Sequence, residues 1–302
     1  MQLEKLLFDT DIGGDPDDAL ALMYLLREPR CEVLGITTVG RNSQLNAEIA
    51  SALCHSLGRG RVPVLAGLSW EHGHLPREDV AETPAPQYTW RDELAKWPHG
   101  GPLADVSAID FMRQAIRGNP GEVTLLSTAP FTNVAALFAT APETPSLLKR
   151  LVLMGGNFVD GHEYNAGTDG NAARAVFEGG GLPPPPKLVV FGADTTMPHS
   201  MSPEEGRIFM EQSSDFAFVR GWHAENWYAR IGRLYFHDPI AAVAIFHPEI
   251  ASYISSAVSV DVEDGAMTRK CGLSGEKPWV WQISTSVDFD AFLSCFTNTV
   301  RT

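Results

Sequence analysis

From Phe8 to Ala19 the chain reads Phe-Asp-Thr-Asp-Ile-Gly-Gly-Asp-Pro-Asp-Asp-Ala, so the carboxylates of Asp9, Asp11, Asp15, Asp17 and Asp18 fall within ten residues. No Lys or Arg occurs between Lys5 and Arg27 to offset them. Like charges crowded into one turn disfavour the ionised form of each other and cost stability unless something positive joins them. A hard divalent cation meets that need, and Ca2+ in particular accepts several carboxylate and carbonyl oxygens in flexible geometry. Gly13 and Gly14 allow the backbone to turn tightly between the acids. The competing reading is a solvated acidic loop whose Asp side chains cap the next helix. One or two Asp would suit that reading; five at one strand end favour a metal.

Further polar segments follow apolar runs in the same way. They are Thr37-Thr38-Val39-Gly40-Arg41-Asn42, Ser127-Thr128-Ala129-Pro130-Phe131-Thr132-Asn133, and Met154-Gly155-Gly156-Asn157 with His162-Glu163-Tyr164-Asn165 and Asp169 behind it. His237-Asp238-Pro239 precedes the apolar stretch 240–245. Taken singly, each Asn, Thr or Asp can serve as a helix cap or turn former. Together they supply amides and carboxylates suited to holding a polyhydroxylated ligand over a metal.

The elements that would position these groups alternate between two periods. Short apolar runs at 5–8, 33–39, 62–65, 123–127, 151–154 and 188–191 read as strands. Amphipathic stretches at 19–26, 45–57, 106–116, 133–140, 172–177 and 203–212 read as helices. Strands that are almost wholly apolar and alternate with helices belong to an α/β fold, with an open, mostly parallel sheet flanked by helices. In such a sheet the strand-to-helix turns, and hence the Asp cluster, lie at the carboxyl edge where ligands bind. The aromatic and Pro-rich stretch 70–102 reads as a long surface loop, and no composition shift marks a boundary, so one domain over 1–302 is expected.

Composition narrows the partners. Among 302 residues, 37 acidic against 23 basic side chains give a formal net charge of −14. That balance disfavours a nucleic-acid backbone or an anionic membrane as the main partner, and permits cations and neutral small molecules. Cys31, Cys54, Cys271 and Cys295 form no CxxC pair and sit among apolar neighbours, as reduced buried thiols do. The short apolar run after Lys5 is no signal-peptide core, and no apolar stretch reaches transmembrane length. A cytoplasmic location is the expectation.

In order and spacing, Asp9-Thr10-Asp11, Asp17-Asp18-Ala19, Thr37-Thr38-Val39 with Asn42, Thr132-Asn133, Met154-Gly155-Gly156, Glu163-Tyr164-Asn165 and His237-Asp238-Pro239 resemble the inosine-uridine preferring nucleoside hydrolases. Thr268-Arg269 and Val287-Asp288-Phe289-Asp290 resemble that family's closing elements. The resemblance implies a Ca2+-dependent enzyme that cleaves the N-glycosidic bond of a ribonucleoside, releasing base and ribose, and that assembles as a homodimer or homotetramer. Carried over to this chain, it implies that Asp11, Asp18, Asp238 and the Thr132 carbonyl hold the calcium, with Asp11 also the general base. It gives Asp17, Asn157, Glu163 and Asn165 to the ribose, Asn42 to the neighbourhood of the attacking water, and His237 to protonation of the leaving base. Trp70, Trp222, Trp227, Tyr228 and Phe236 are candidates for stacking on that base. Two residues are inserted in the family's Asp-x-Asp-Pro-Gly-x-Asp-Asp turn. Counting from Asp11, Asp15 is the first of the Asp pair; counting back from Ala19, it is Asp17. The Asp-Asp-Ala helix start favours Asp17, and Asp15 remains a rival ligand.

Two other readings compete. A nucleoside-hydrolase fold could retain metal and ribose without turnover. A HAD-like Mg2+ phosphatase also ends its first strand in Asp-x-Asp, but it needs a Lys after a later strand, whereas Lys149 and Lys187 precede theirs.

Overall fold

The structure is a computed structural model that describes residues 3–69, 94–100, 106–159, 162–220, 231–263, 267–270 and 279–301. Its strands are β1 (Glu4–Thr10), β2 (Cys31–Gly40), β3 (Val64–Ser69), β4 (Val123–Ser127), β5 (Arg150–Met154), β6 (Leu188–Phe191), β7 (Ser200–Met201), β8 (Leu234–Tyr235), β9 (Ala251–Val260), β10 (Met267–Lys270) and β11 (Trp281–Val287). Nine of them form one sheet in the order β10-β9-β11-β6-β5-β4-β1-β2-β3, and β7 pairs with β8 apart from it. From β3 to β11 every pairing is parallel; only β9 runs against its two neighbours.

Helices cover both faces. They are α1 (Asp17–Arg27), α2 (Ser43–Ser56), α3 (Ala108–Gly118), α4 (Thr132–Thr140), α5 (Thr144–Leu147), α6 (Tyr164–Thr168), α7 (Gly170–Glu178), α8 (Ala193–Thr196), α9 (Pro203–Glu211), α10 (His237–Ala244) and α11 (Phe289–Val300). Alternation along β1 shows why two layers are needed. Leu6 and Phe8 enter the core shared with α1, α2, α10 and α11, while Leu7 enters the opposite core with α3, α4 and α7. A strand apolar on both sides is stable only when both faces are covered.

The expected α/β architecture is the one observed. Strands 123–127 and 188–191 match residue for residue. The third strand lies later than its expected 62–65, at Val64–Ser69, where polar and small residues pair with β2 and the apolar signal fades. The helix expected at 106–116 starts at Ala108, because the Ser107 hydroxyl accepts the Asp110 amide and caps it there. The long antiparallel strand β9 carries Ser at four of its ten positions and was not expected; its pairing partners β10 and β11 supply the reason for its existence. Cys54 is buried as expected, while Cys31 and Cys295 are only half-buried, and Cys271 lies outside the described residues. So does most of the 70–102 stretch. Among the described residues no helix is long and apolar enough to cross a membrane.

Candidate active site

After β1 the chain crosses to β2 and β3 on one side, and from β4 onward it builds the sheet on the other side. The strand order therefore reverses between β1 and β4, and the loops leaving their carboxyl ends diverge to opposite faces and open a crevice. Asp9-Thr10-Asp11 leaves β1 at that point and Ser127-Thr128 leaves β4 beside it, with Asp9 in register with both Thr37 and Ser127.

Asp9 braces this crossing point. It is fully buried and accepts hydrogen bonds from Thr37 Oγ1 (2.7 Å), Asn133 Nδ2 (2.8 Å) and Ser127 Oγ (3.1 Å). Burial pushes its pKa up to about 6 against the opposing effect of those three donors. Asn133 also donates to the Thr38 carbonyl and accepts from the Leu68 amide, tying β1, β2, β3 and α4 together.

The other acids meet above it. Carboxylate oxygens of Asp17, Asp18 and Asp238 lie within 4.8 Å of one another, all three residues buried. Asp17 and Asp18 open α1 and Asp238 lies in the first turn of α10, so two helix N-termini converge on the group and their dipoles offset part of its charge. Asp18 is oriented by hydroxyls from both strands: its Oδ1 accepts from Thr10 Oγ1 (2.5 Å) and Thr128 Oγ1 (2.8 Å). Asp17 accepts from the Asp18 amide (3.1 Å). The N-cap of α1 is Pro16, which offers no side-chain cap. Burial is the leading cause that raises Asp17 to about 8 and Asp18 to about 6. Asp11, Asp15 and Asp238 are raised well above the usual carboxylate range by burial and by the neighbouring Asp charges. Asp15 Oδ1 is buried with no hydrogen-bond partner.

These donors fit a hard divalent cation. Every one is oxygen, the acids are close and desolvated, and the orphaned Asp15 oxygen lacks the partner that buried polar atoms normally have. The family resemblance implies Asp11 among the ligands and Asp17 with the ribose; the structure puts Asp17 inside the close three-carboxylate group, with Asp11 and Asp15 near enough to raise the pKa of Asp238.

The next groups come from the loops after β2, β4 and β5. Asn42 caps α2, its side chain accepting the Leu45 amide at 3.0 Å. Thr132 opens α4, and its hydroxyl donates to Asp169 (2.8 Å), which also caps α7 through the Ala172 amide. The Glu163 carboxylate accepts three backbone amides, from Gly156 (2.7 Å), Asn165 (2.9 Å) and Ala166 (3.0 Å). Asn165 donates to the carbonyls of Thr128 (3.0 Å) and Met154 (3.1 Å). Glu163 and Asn165 thus lock the β4 and β5 loops together. Asn157 is half-buried and accepts the Val159 amide at 3.0 Å.

His237 begins α10 next to Asp238, and its Nδ1 lies 2.7 Å from Thr196 Oγ1. Burial pulls its pKa down to about 4, so the ring is neutral near pH 7. Tyr235 stacks against it, centroids 5.2 Å apart. Phe236 is buried in the core against Phe209 and Phe292, each with centroids at 5.6 Å, and does not face a ligand. Trp70, Trp222, Trp227 and Tyr228 lie outside the described residues.

Residues 6–294 match the family model described as inosine-uridine preferring nucleoside hydrolase. The chain belongs to that family. It is a hydrolase of the class that acts on N-glycosyl compounds. Uridine nucleosidase 1 of Arabidopsis thaliana is 29% identical over 94% of this chain and 88% of its own. The pyrimidine-specific ribonucleoside hydrolase RihB of Escherichia coli is 26% identical over 100% of this chain and 98% of its own. The purine-preferring ribonucleoside hydrolase from Gardnerella vaginalis superposes with a TM-score of 0.79 at 24% identity, over 98% of each chain.

Within this nucleoside hydrolase, some roles were not visible in the sequence. Thr10 and Thr128 hold Asp18, Asp169 holds Thr132, and Thr196 holds His237. Thr10 had a local signal, since it sits between two acids of the cluster. Thr196 had none, because its partner is 41 residues away.

Proposed function

We propose that this chain hydrolyses the N-glycosidic bond of ribonucleosides to free base and ribose, with Ca2+ as cofactor and Asp11 as general base. The observation that supports this most is the group of mutually close, buried carboxylates at the point where the strand order reverses. Asp11, Asp18, Asp238 and the Thr132 carbonyl would hold the ion, with Asp17 shared between ion and ribose and Asp15 as a further oxygen donor. When bound, Ca2+ supplies the positive charge that lets a water molecule lose a proton near neutral pH.

The chain's own groups do the rest. Asp11 takes that proton at a carboxylate oxygen. Ribose hydroxyls gripped by Asp17, and the sugar edge met by Asn157, Glu163 and Asn165, orient C1′ toward the water beside Asn42. The carboxylates favour the positive, oxocarbenium-like sugar of the transition state. Water oxygen bonds to C1′ as the C1′–N bond breaks, and His237 serves the departing base as its donor, offsetting the charge that the base takes with the bond's electron pair. The family resemblance also supports a homodimer or homotetramer, which light scattering on the purified chain measures.

The test is reducing-sugar release from inosine and uridine, before and after chelation and again with Ca2+ restored. Release that chelation abolishes and Ca2+ restores is the expected result. No ribose from any nucleoside in the presence of Ca2+ would sink the reading.

A further inference from the structure

The short helix α8 supplies none of the residues assigned above to the ion or the ribose, yet it is tied down from several sides. The Ala193 amide donates to the Gly156 carbonyl (2.7 Å), Asp194 accepts the Phe158 amide (3.1 Å), and Thr195 Oγ1 meets Ser284 Oγ of β11 at 2.5 Å. Thr196, fully buried, ends the helix with its hydroxyl at His237 Nδ1.

That hydroxyl has one proton and two places to send it. One is Nδ1, at 2.7 Å; the other is the Gly192 carbonyl, at 3.2 Å. The Gly192 oxygen is already crowded: it accepts the amides of Thr195 and Thr196, both at 3.1 Å, and Thr195 Oγ1 at 3.0 Å. A carbonyl offers two lone pairs, so the most distant of four donors gains least there. The Thr196 proton therefore goes to the imidazole, where the contact is short and the nitrogen lone pair is otherwise unmet. A nitrogen that accepts this bond carries no proton, so the ring proton of His237 sits on Nε2.

We infer that Thr196 is a positioning residue that holds His237 as its Nε2–H tautomer, so that the ring presents a donor to the leaving base. Among the described residues nothing is bonded to Nε2, which leaves that N–H available to a ligand. Tyr235 against the ring face and Thr196 at Nδ1 together fix its plane. As the C1′–N bond breaks, the base takes the electron pair of that bond and Nε2–H donates a hydrogen bond to the nitrogen that turns negative, so the ring keeps its proton and the base takes one from solvent on release. The catalytic half of this inference rests on the proposed nucleoside hydrolysis; the tautomer half does not.

The experiment follows both. In 15N-labelled protein, loaded with Ca2+, the His237 ring nitrogens are assigned by comparison with His237→Ala. The native chain should show a pyridine-like Nδ1 and a pyrrole-like Nε2, Thr196→Val should mix the tautomers, and Thr196→Ser should restore the native pattern. A protonated Nδ1 in the native chain, or a pattern that Thr196→Val leaves unmoved, would overturn the inference. In turnover, Thr196→Val should lose about 10- to 100-fold in kcat on inosine or uridine, as is typical when the group orienting a working histidine is removed. KM should change little, the loss on p-nitrophenyl riboside should be smaller, and the substitution should add nothing in a His237→Ala background. A Thr196→Val loss that persists undiminished in that background would show that Thr196 acts structurally and not through His237. Thr196→Ala replaces the valine variant if the latter fails to fold. If the native chain releases no ribose, the proposed function fails, and the nitrogen spectra still decide the tautomer.

Discussion

At the scale of single residues, the first Asp-x-Asp divides its labour. Asp9 and Asp11 are two positions apart, yet Asp9 is spent on three donors within the sheet while Asp11 lies among the charges of Asp17, Asp18 and Glu163. Their substitutions should separate accordingly. Asp11→Asn keeps size and removes the proton acceptor, so turnover should vanish while nucleoside binding stays measurable by calorimetry. A near-normal kcat would exclude Asp11 as the base. Asp9→Ala strands the buried Thr37 and Ser127 hydroxyls and the Asn133 amide, and should cost on the order of 3 kcal/mol in a denaturant melt. A midpoint unchanged from the native chain would mean that those donors find other partners. Both acids were visible in the sequence as one motif. Their different uses were not, because Thr37, Ser127 and Asn133 are brought to Asp9 by strand pairing from 28, 118 and 124 residues away.

At the scale of elements, the site is built from strand ends and helix starts held at fixed distances by loops. The β5 loop shows how tightly. Gly155 has φ +151°, and a Cβ there would lie 2.6 Å from the Phe131 ring and 3.2 Å from Glu163 Oε2. Phe131 is fully buried and leads into α4, so it has little room to yield. Gly155→Ala should therefore lower stability by about 1–3 kcal/mol, the usual cost of forcing atoms into a packed core. It should also raise KM by displacing Glu163, and an unchanged KM with lowered stability would separate Glu163 from substrate binding. Elements as such were legible in the sequence, since hydrophobic period and cap residues act locally. Ser107 before α3, Asn42 before α2 and Asp169 before α7 all cap as residues of their type do. The antiparallel edge of β9, β10 and β11 was less legible, because what makes β9 a strand is its two partners.

At the scale of the whole molecule, the surplus of acid is distributed with a purpose that its total does not reveal. The two edges of the sheet treat carboxylates oppositely. At the amino edge, burial would raise Glu4, but hydrogen bonds from Lys149, Thr124 and Arg150 outweigh it and hold its pKa below the usual value. At the carboxyl edge no Lys or Arg among the described residues is bonded to Asp11, Asp15, Asp17, Asp18 or Asp238; burial raises them all, and neighbouring Asp charges add to it for Asp11, Asp15, Asp17 and Asp238. The pH dependence of stability follows from the sign. A group whose folded pKa is raised stabilises the fold fully below its unfolded value near 4, and that contribution is lost as pH rises through the folded pKa. For Asp9 and Asp18 the loss runs from about pH 4 to about pH 6, and for Asp17 it continues to about pH 8. Glu4 and Glu28, both lowered, contribute above their unfolded pKa and lose that contribution only in acid, so they add no slope at neutral pH. Chelated protein should accordingly melt at a lower temperature at pH 8 than at pH 5. Ca2+ should raise the melting temperature most at pH 8, because it binds the folded cluster and relieves the repulsion there. A flat or rising melting temperature from pH 5 to pH 8 without metal would contradict the cluster's raised pKa values.

The chain order alone determined that strands and helices alternate, that acids stand at the end of the first strand, and that His237-Asp238-Pro239 precedes a helical stretch. Periodicity, capping and charge density are properties of neighbouring residues. Only the tertiary structure decided that Asp238 joins Asp17 and Asp18, that Glu163 is held by three backbone amides, and that Thr196 meets His237. Those meetings depend on where the strand order reverses and on which helices pack side by side. Such choices are made by burying two apolar faces of one sheet at once, and no local stretch of sequence carries them.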